Sequence, residues 1–231
     1  MIFVTGGTGF LGRHLLPALC RADYPIRVLT RHPQAHRWLS QYHNVDIIQG
    51  DLADLAVLTD AIQGCKHLIH AGGFFRFWGD EDKFMRTNAT GTSNIMQAAL
   101  NAGIERVIHI SSVAVIGKPD PTHEIDETYP PQPVDPYQFS KLEGEQIALQ
   151  FYRDSGLPVV VIRPGAFYGP LGHYAFNRLF FRDPMRGIIM QINGGEYINF
   201  PVYIEDVVQG IFKALERGKP GEIYHICGDW I

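Results

Sequence analysis

Short apolar runs, many of them β-branched, alternate along this chain with longer stretches in which hydrophobic and polar positions mix. The runs at Ile2–Val4, Ile26–Thr30, Val45–Gln49, His67–His70, Arg106–Ser111 and Val159–Arg163 predict strands. The stretches between them predict helices over Gly9–Arg21, Pro33–Tyr42, Leu55–Gln63, Asp82–Ala102 and Tyr137–Asp154. Strand and helix in regular alternation build βαβ units, and so a doubly wound parallel sheet of the α/β class. Pro17 removes an i→i−4 bond inside the first helical stretch and predicts a kink or an early end. After Arg163 the regularity loosens. A turn-rich connection from Pro164 to Pro170 leads to an aromatic and basic helical stretch around Tyr174–Arg186, a helix at Glu205–Arg217 and a last strand at Glu222–Ile226.

The first strand runs directly into Thr5-Gly6-Gly7-Thr8-Gly9-Phe10-Leu11-Gly12. A buried strand feeding a glycine-rich turn that opens a helix is suited to a pyrophosphate. Small residues let the backbone approach, and free amides at the helix N-terminus supply donors and partial positive charge. The glycines at 6, 9 and 12 follow a G-x-x-G-x-x-G spacing rather than G-x-G-x-x-G. The pattern therefore predicts a Rossmann-like sheet that binds a dinucleotide beyond the carboxyl ends of its strands. Residues 1–165 are expected to form that NAD(P)-binding unit, with its catalytic groups. Residues 166–231 are expected to form a small substrate lobe interleaved with it, continuing beyond Ile231.

Bulk properties narrow the partners. A chain of 231 residues suffices for one such sheet, and a net charge of −4 leaves no basic footprint for nucleic acid or an anionic membrane. No apolar run approaches membrane-spanning length and no leader pattern opens the chain. Cys20, Cys65 and Cys227 are widely spaced with no C-x-x-C, which argues against a disulfide framework or a structural metal and fits a reducing compartment. A cytoplasmic protein with a small-molecule partner and no metal is the expectation.

The candidate chemistry lies in Tyr137-Gln138-Phe139-Ser140-Lys141, where a phenol and an ammonium four residues apart share one helix face. A nearby cation favours the phenolate and lowers the phenol's pKa, which would let Tyr137 exchange a proton with a substrate oxygen. A surface pair with no role is the alternative. Ser112 follows the predicted fifth strand at the carboxyl edge, where its hydroxyl would reach the same oxygen.

At these residues the chain resembles the extended short-chain dehydrogenase/reductase superfamily, specifically the NAD-dependent epimerase/dehydratase family. The resemblance spans essentially the whole chain. It is carried by Thr5 to Gly12, Gly50-Asp51-Leu52, His70-Ala71-Gly72, Asn88-x-x-Gly91-Thr92, Ser111-Ser112, the Tyr137/Lys141 pair and Arg163-Pro164-Gly165, in that order. It implies a catalytic triad of Ser112, Tyr137 and Lys141, with Tyr137 and Lys141 also at the nicotinamide ribose. It further implies a cofactor cleft formed by Gly6, Thr8, Gly9, Phe10, Leu11, Gly12, Asp51, Leu52, Ala71, Gly72, Arg163 and Pro164. Asn88 is either a helix-packing residue or a substrate contact. A homodimer through the helices at Asp82–Ala102 and Tyr137–Asp154 is expected by analogy.

The second strand ends Leu29-Thr30-Arg31-His32 with no carboxylate for a ribose 2′-hydroxyl. NADP(H) is therefore favoured over NAD(H), with Arg31 as phosphate partner and Arg13 as a second. Dehydratases of the resembled family carry an acidic pair after the active-site hydroxyl residue, whereas Val113-Ala114 follow Ser112 here. The position where nucleotide-sugar members place an Arg for the diphosphate aligns with Asn199. The loop Phe74-Phe75-Arg76-Phe77-Trp78 suggests an apolar or aromatic carbonyl substrate, or else packing against the next helix. Tyr174, Phe176, Phe180 and Phe181 would form the opposite wall. These features look most like the dihydroflavonol-4-reductase-like and hopanoid-associated epimerase-like group. The reaction they imply is NAD(P)(H)-dependent interconversion of a carbonyl and an alcohol. A nucleotide-sugar epimerase and a non-catalytic dinucleotide sensor are the alternatives.

Overall fold

The computed structural model describes residues 1–76, 79–120, 122–174, 176–189 and 200–228. Strands form at β1 (Ile2–Thr5), β2 (Ile26–Thr30), β3 (Val45–Gln49), β4 (His67–His70), β5 (Arg106–Ile110), β6 (Val159–Pro164), β7 (Ala166–Tyr168), β8 (Pro201–Tyr203) and β9 (Ile223–Ile226). Seven of them pair in parallel in the order β3-β2-β1-β4-β5-β6-β9. The order reverses between β1 and β4, so the ligand crevice lies beyond Thr5 and His70.

Alternation along β1 explains the two cores. Ile2 and Val4 face α1 (Phe10–Arg21), while Phe3 faces the opposite layer, and all three are fully buried. On the first side Leu15, Leu16 and Leu19 of α1 join Val207, Val208 and Ile211 of a C-terminal helix, Ile204–Arg217. On the second, Leu58 of α2 (Leu55–Ala61) packs with Ile95 and Met96, and with Ala148 from further along the chain.

The long helix expected at Asp82–Ala102 is interrupted. α3 (Glu81–Met85) passes through a π-type turn at Arg86–Thr90 into α4 (Gly91–Asn101). The wider turn carries Asn88 into the interior, where it is 2% exposed. α5 (Pro136–Ser155) crosses this turn closely, since a Cβ at Gly144 would collide with the Asn88 carbonyl. The final helix, α6 (Ile204–Arg217), packs on α1, and β9 pairs with β6. The chain after residue 166 thus adds a helix and a strand to the main sheet.

Three local expectations fail. Pro17 does not end α1, because Leu15, Leu16 and Leu19 hold both halves of the helix on the core and outweigh one lost bond. Pro33–Gln41 forms 3₁₀ turns broken at His36 rather than an α-helix; with Leu39 its sole buried residue, little packing stabilises it. The parallel pair β7 and β8 is additional to the predicted strands. Phe77, Trp78 and Asn199 lie outside the described residues.

Two imidazoles are sealed at the sheet's centre. His70 and His109 are register neighbours on β4 and β5, each 1% exposed, with ring centroids 5.3 Å apart. Burial, with the Lys141 charge second, draws His70 down to about 3 and His109 well below the usual histidine range. Both are therefore neutral in the folded protein at neutral pH, while their unfolded counterparts take up protons as pH falls through about 6.5. Stability is thus complete above that value and declines below it, toward the folded pKa, by about 1.4 kcal/mol per pH unit for each imidazole. His36, His67 and His225 shift in the same direction. Urea unfolding at pH 5 should give a stability lower than at pH 7 by about 4 kcal/mol from the two buried rings; equal values at the two pHs would exclude neutral burial.

Candidate active site

The glycine loop meets the end of β4 with no space for side chains. Gly6 has φ +71°, and a Cβ there would fall on the Ala71 carbonyl, 2.6 Å from the Gly72 nitrogen. A Cβ at Gly12 would strike the Gly7 carbonyl, so the first turn of α1 folds back onto the loop. Gly9 caps α1 without a side-chain bond, and the first intrahelical bond runs from Arg13 N to Gly9 O, 3.0 Å. The amides of Phe10, Leu11 and Gly12 precede it and have no intrahelical acceptor. Together with Thr8 beside them, they leave a donor-rich cradle that fits a dinucleotide pyrophosphate. Leu52 underlies the facing wall, its Cδ1 3.0 Å from the position of a Gly72 Cβ.

Ser112, Tyr137 and Lys141 converge at the carboxyl end of β5. Ser112 caps a 3₁₀ turn, Val113–Ile116, its Oγ accepting from Ala114 N at 3.1 Å. Its own proton is then left over, and the hydroxyl is the group that opposes the rise in the Tyr137 pKa. Asp135 caps α5, accepting from Gln138 N at 2.9 Å, and so fixes the turn that presents Tyr137. Lys141, 7% exposed, donates to the Ile110 carbonyl at 2.7 Å.

The electrostatics reverse one expectation. Burial pushes the Tyr137 phenol up to about 12, opposed by Ser112, and Lys141 is not among the groups that shift it. Burial also draws Lys141 down to about 8, partly offset by the Glu145 carboxylate one turn along. Desolvation exceeds pairing here because the ammonium turns to a backbone carbonyl rather than to the phenol.

The aromatic loop after β4 packs around this centre. The Phe75 ring meets Tyr137 edge-on at 4.8 Å and Tyr174 at 5.8 Å. Phe74 packs on Phe84 of α3 at 5.1 Å, so the loop also packs against the next helix. Asn88 clamps it: Phe74 N donates to Asn88 Oδ1 at 2.7 Å, and Asn88 Nδ2 donates to Phe74 O and Ser140 Oγ at 3.0 and 2.9 Å. Asn88 is thus a packing residue, its amide committed to protein partners. Phe176 and Phe180 stack at 4.1 Å, and Phe181 lies on Tyr168 at 5.4 Å, while Tyr174 meets the loop at Phe75 among the described residues.

The Arg163 guanidinium is 3% exposed and engaged within the fold, bidentate with Glu145 at 2.9 and 2.5 Å and with Nη1 3.5 Å from His225 Nε2. Pro164 ends β6 beside Ile226. Asp51 accepts from Ala53 N at 2.9 Å, a turn contact, and its other oxygen lies 3.8 Å from Arg31 Nε. The Arg31 side chain is 69% exposed at the tip of β2. Among the described residues no helix is long and apolar enough to cross a membrane.

The sequence reading assigned no role to Thr5, Thr92 or Glu145. Strand register was the available signal for the first, because Thr5 lies directly beside His70.

The model of the NAD dependent epimerase/dehydratase family matches residues 2–227. A 4-hydroxy-2-methyl-3-oxo-4-farnesyl-3,4-dihydroquinoline-1-oxide ketoreductase from Stigmatella aurantiaca is 32% identical over 97% of this chain and 67% of its own length. A dTDP-glucose 4,6-dehydratase from Streptomyces niveus is 31% identical over 98% of this chain and 72% of its own. Among solved structures, a double mutant of DesIV, a dTDP-glucose 4,6-dehydratase from Streptomyces venezuelae with NAD bound, superposes with a TM-score of 0.85 at 29% identity, covering 100% of this chain and 77% of its own.

Proposed function

The chain belongs to the NAD-dependent epimerase/dehydratase family, and from that premise we propose that it interconverts a carbonyl and an alcohol on an apolar or aromatic small molecule. The observation that carries this reading is the Phe75 ring packed edge-on against Tyr137, which sets a hydrocarbon surface beside the acid/base, with the Arg76 guanidinium lying over the neighbouring Phe74 and Tyr174 rings. The ketoreductase relative, named for a farnesylated quinoline ketone, supports the same substrate class.

The glycine cradle, Leu52 and Gly72 would hold the dinucleotide, with Tyr137 and Lys141 at its nicotinamide end. When bound, the dinucleotide supplies or accepts the hydride. Tyr137 transfers the proton to the carbonyl oxygen; a phenol near 12 is in the donor form required for reduction at neutral pH. Ser112 polarises that oxygen with its free proton. Lys141 positions the ribose and stabilises the phenolate as it forms. Val113 and Ala114, which open the 3₁₀ turn after Ser112, offer no acidic pair for dehydration.

A second reading is a nucleotide-sugar epimerase with tightly held NAD, supported by the dehydratase relatives and their NAD-bound structure. Enzyme active without added dinucleotide, and retaining it through gel filtration, would favour that reading. A homodimer through α4 and α5 belongs to the proposal too, with Phe139 on α5, 54% exposed, as an apolar side chain available to it.

Two measurements test the proposal. Tyr137→Phe should lower turnover of aryl and prenylated ketones by about 10²- to 10⁴-fold while dinucleotide affinity, followed by fluorescence titration, stays unchanged; retained turnover refutes the role. For the cofactor, Arg31 at an acid-free strand tip favours NADP(H), so KM should be lower for NADPH than for NADH. Arg31→Ala should raise the NADPH value about 10-fold or more and leave NADH alone, as loss of one charge-assisted bond predicts. Tighter use of NADH by the unaltered protein would reverse the assignment.

A further inference from the structure

One hydrogen-bond chain links the dinucleotide loop to the substrate loop through His70. Gly72 N donates to Thr5 Oγ1 at 3.0 Å, and Thr5 Oγ1 lies 2.6 Å from His70 Nδ1. On the other side of the ring, Nε2 lies 3.0 Å from Thr92 Oγ1, which donates to the Asn88 carbonyl at 2.7 Å. The Asn88 side chain clamps Phe74 and donates to Ser140 Oγ, and Ser140 donates to the Tyr137 carbonyl at 2.8 Å. Thr5, His70, Thr92, Asn88 and Ser140 are all buried.

Counting protons gives the chain a direction. A threonine hydroxyl has one proton, and that of Thr92 goes to Asn88, so His70 Nε2 must be the donor to Thr92. A neutral imidazole has one N–H, which makes Nδ1 an acceptor and Thr5 its donor. No link can reverse without leaving a buried group unpaired, a loss that falls on the whole chain.

We propose that His70 is a positioning residue of the active site, fixed as the Nε2–H tautomer, and that the one-way chain it completes sets the Phe74–Phe75 loop and the Tyr137 turn of α5 against the dinucleotide loop. The site's two halves, built on β1 and α5, are thereby held in one register. The proposal rests on the carbonyl-reduction reading for its kinetic arm only.

The tautomer is measured without substrate, by long-range ¹H–¹⁵N correlation on the full chain labelled at histidine nitrogen, with His70→Gln assigning the ring. A pyridine-type Nδ1 and a pyrrole-type Nε2 are expected at pH 7; the reverse overturns the proposal. Thr92→Val removes the hydroxyl at nearly constant shape, and Thr92→Ser restores it. The Val variant should exchange the Phe74 amide with deuterium about 10-fold faster than the unaltered protein, as expected for loss of one positioning bond. With acetophenone and NADPH its kcat/KM should fall about 10-fold, chiefly through KM, with dinucleotide Kd within about 2-fold. Thr92→Ser should recover both. If Thr92→Val fails to fold, Ser140→Ala cuts the same chain beside Tyr137 and carries the same kinetic expectation. Unchanged Phe74 exchange in Thr92→Val, or no recovery in a folded Thr92→Ser, overturns the proposal. Wild-type turnover by Tyr137→Phe would instead sink the carbonyl-reduction reading and leave the tautomer and exchange results standing.

Discussion

The Ala71 carbonyl occupies the space where a side chain at position 6 would begin. Only glycine, at φ +71°, lets the loop leave β1 and lie against the end of β4 at the point where strand order reverses. From that contact the rest of the site is placed. α1 starts with its free amides facing the crevice, Gly72 is held by Thr5, and the chain leaves β4 already aimed at α3 and α5. A residue with a Cβ at position 6 would push these backbones apart and disturb cleft and substrate loop together.

Desolvation, rather than attraction between phenol and ammonium, governs the resting electrostatics of Tyr137 and Lys141. Each is displaced toward its neutral form; Ser112 opposes the shift of the phenol, and the Ile110 carbonyl accepts from the ammonium. Beneath them Glu145 raises Lys141, yet Glu145 is itself gripped by Arg163 in a pair that is almost fully buried. Removing one partner of such a pair strands a charge in the interior, which costs far more than the pair contributes. Arg163 therefore fixes Glu145 beneath the ammonium, a contribution to the site made through a neighbour.

Much of this was readable from the chain. Runs such as Ile26–Thr30 and Val159–Pro164 are strands because β-branched residues buried on both faces admit little else, and Gly6, Gly9 and Gly12 mark the turn into α1. Ser112, Tyr137 and Lys141 were legible as a group because order along a parallel sheet maps onto position at its carboxyl edge. What was not legible depended on contacts far apart in sequence. Three-residue strands such as Ala166–Tyr168 carry no period, and the π-type turn at Arg86–Thr90 is invisible to a 3.6-residue pattern. Nor could spacing show that Glu145, 18 positions earlier, takes the Nε and Nη2 of Arg163. The sign of the Tyr137 shift failed for the same reason: spacing put Lys141 on the right face but could not show the Ile110 carbonyl waiting for it.

The aromatic loop shows how structure and proposed chemistry coincide in one segment. Phe74 turns inward to Phe84 and anchors the loop, which frees the next residue, Phe75, to face Tyr137. An apolar ring against an acid/base group excludes water, and in that low-dielectric setting each remaining polar contact strengthens. A ketone whose flanking groups are hydrocarbon would lose its own hydration shell against that ring at little cost. The proposed substrate preference thus rests on a single side chain, Phe75, whose neighbour Phe74 is held at both backbone polar atoms by Asn88.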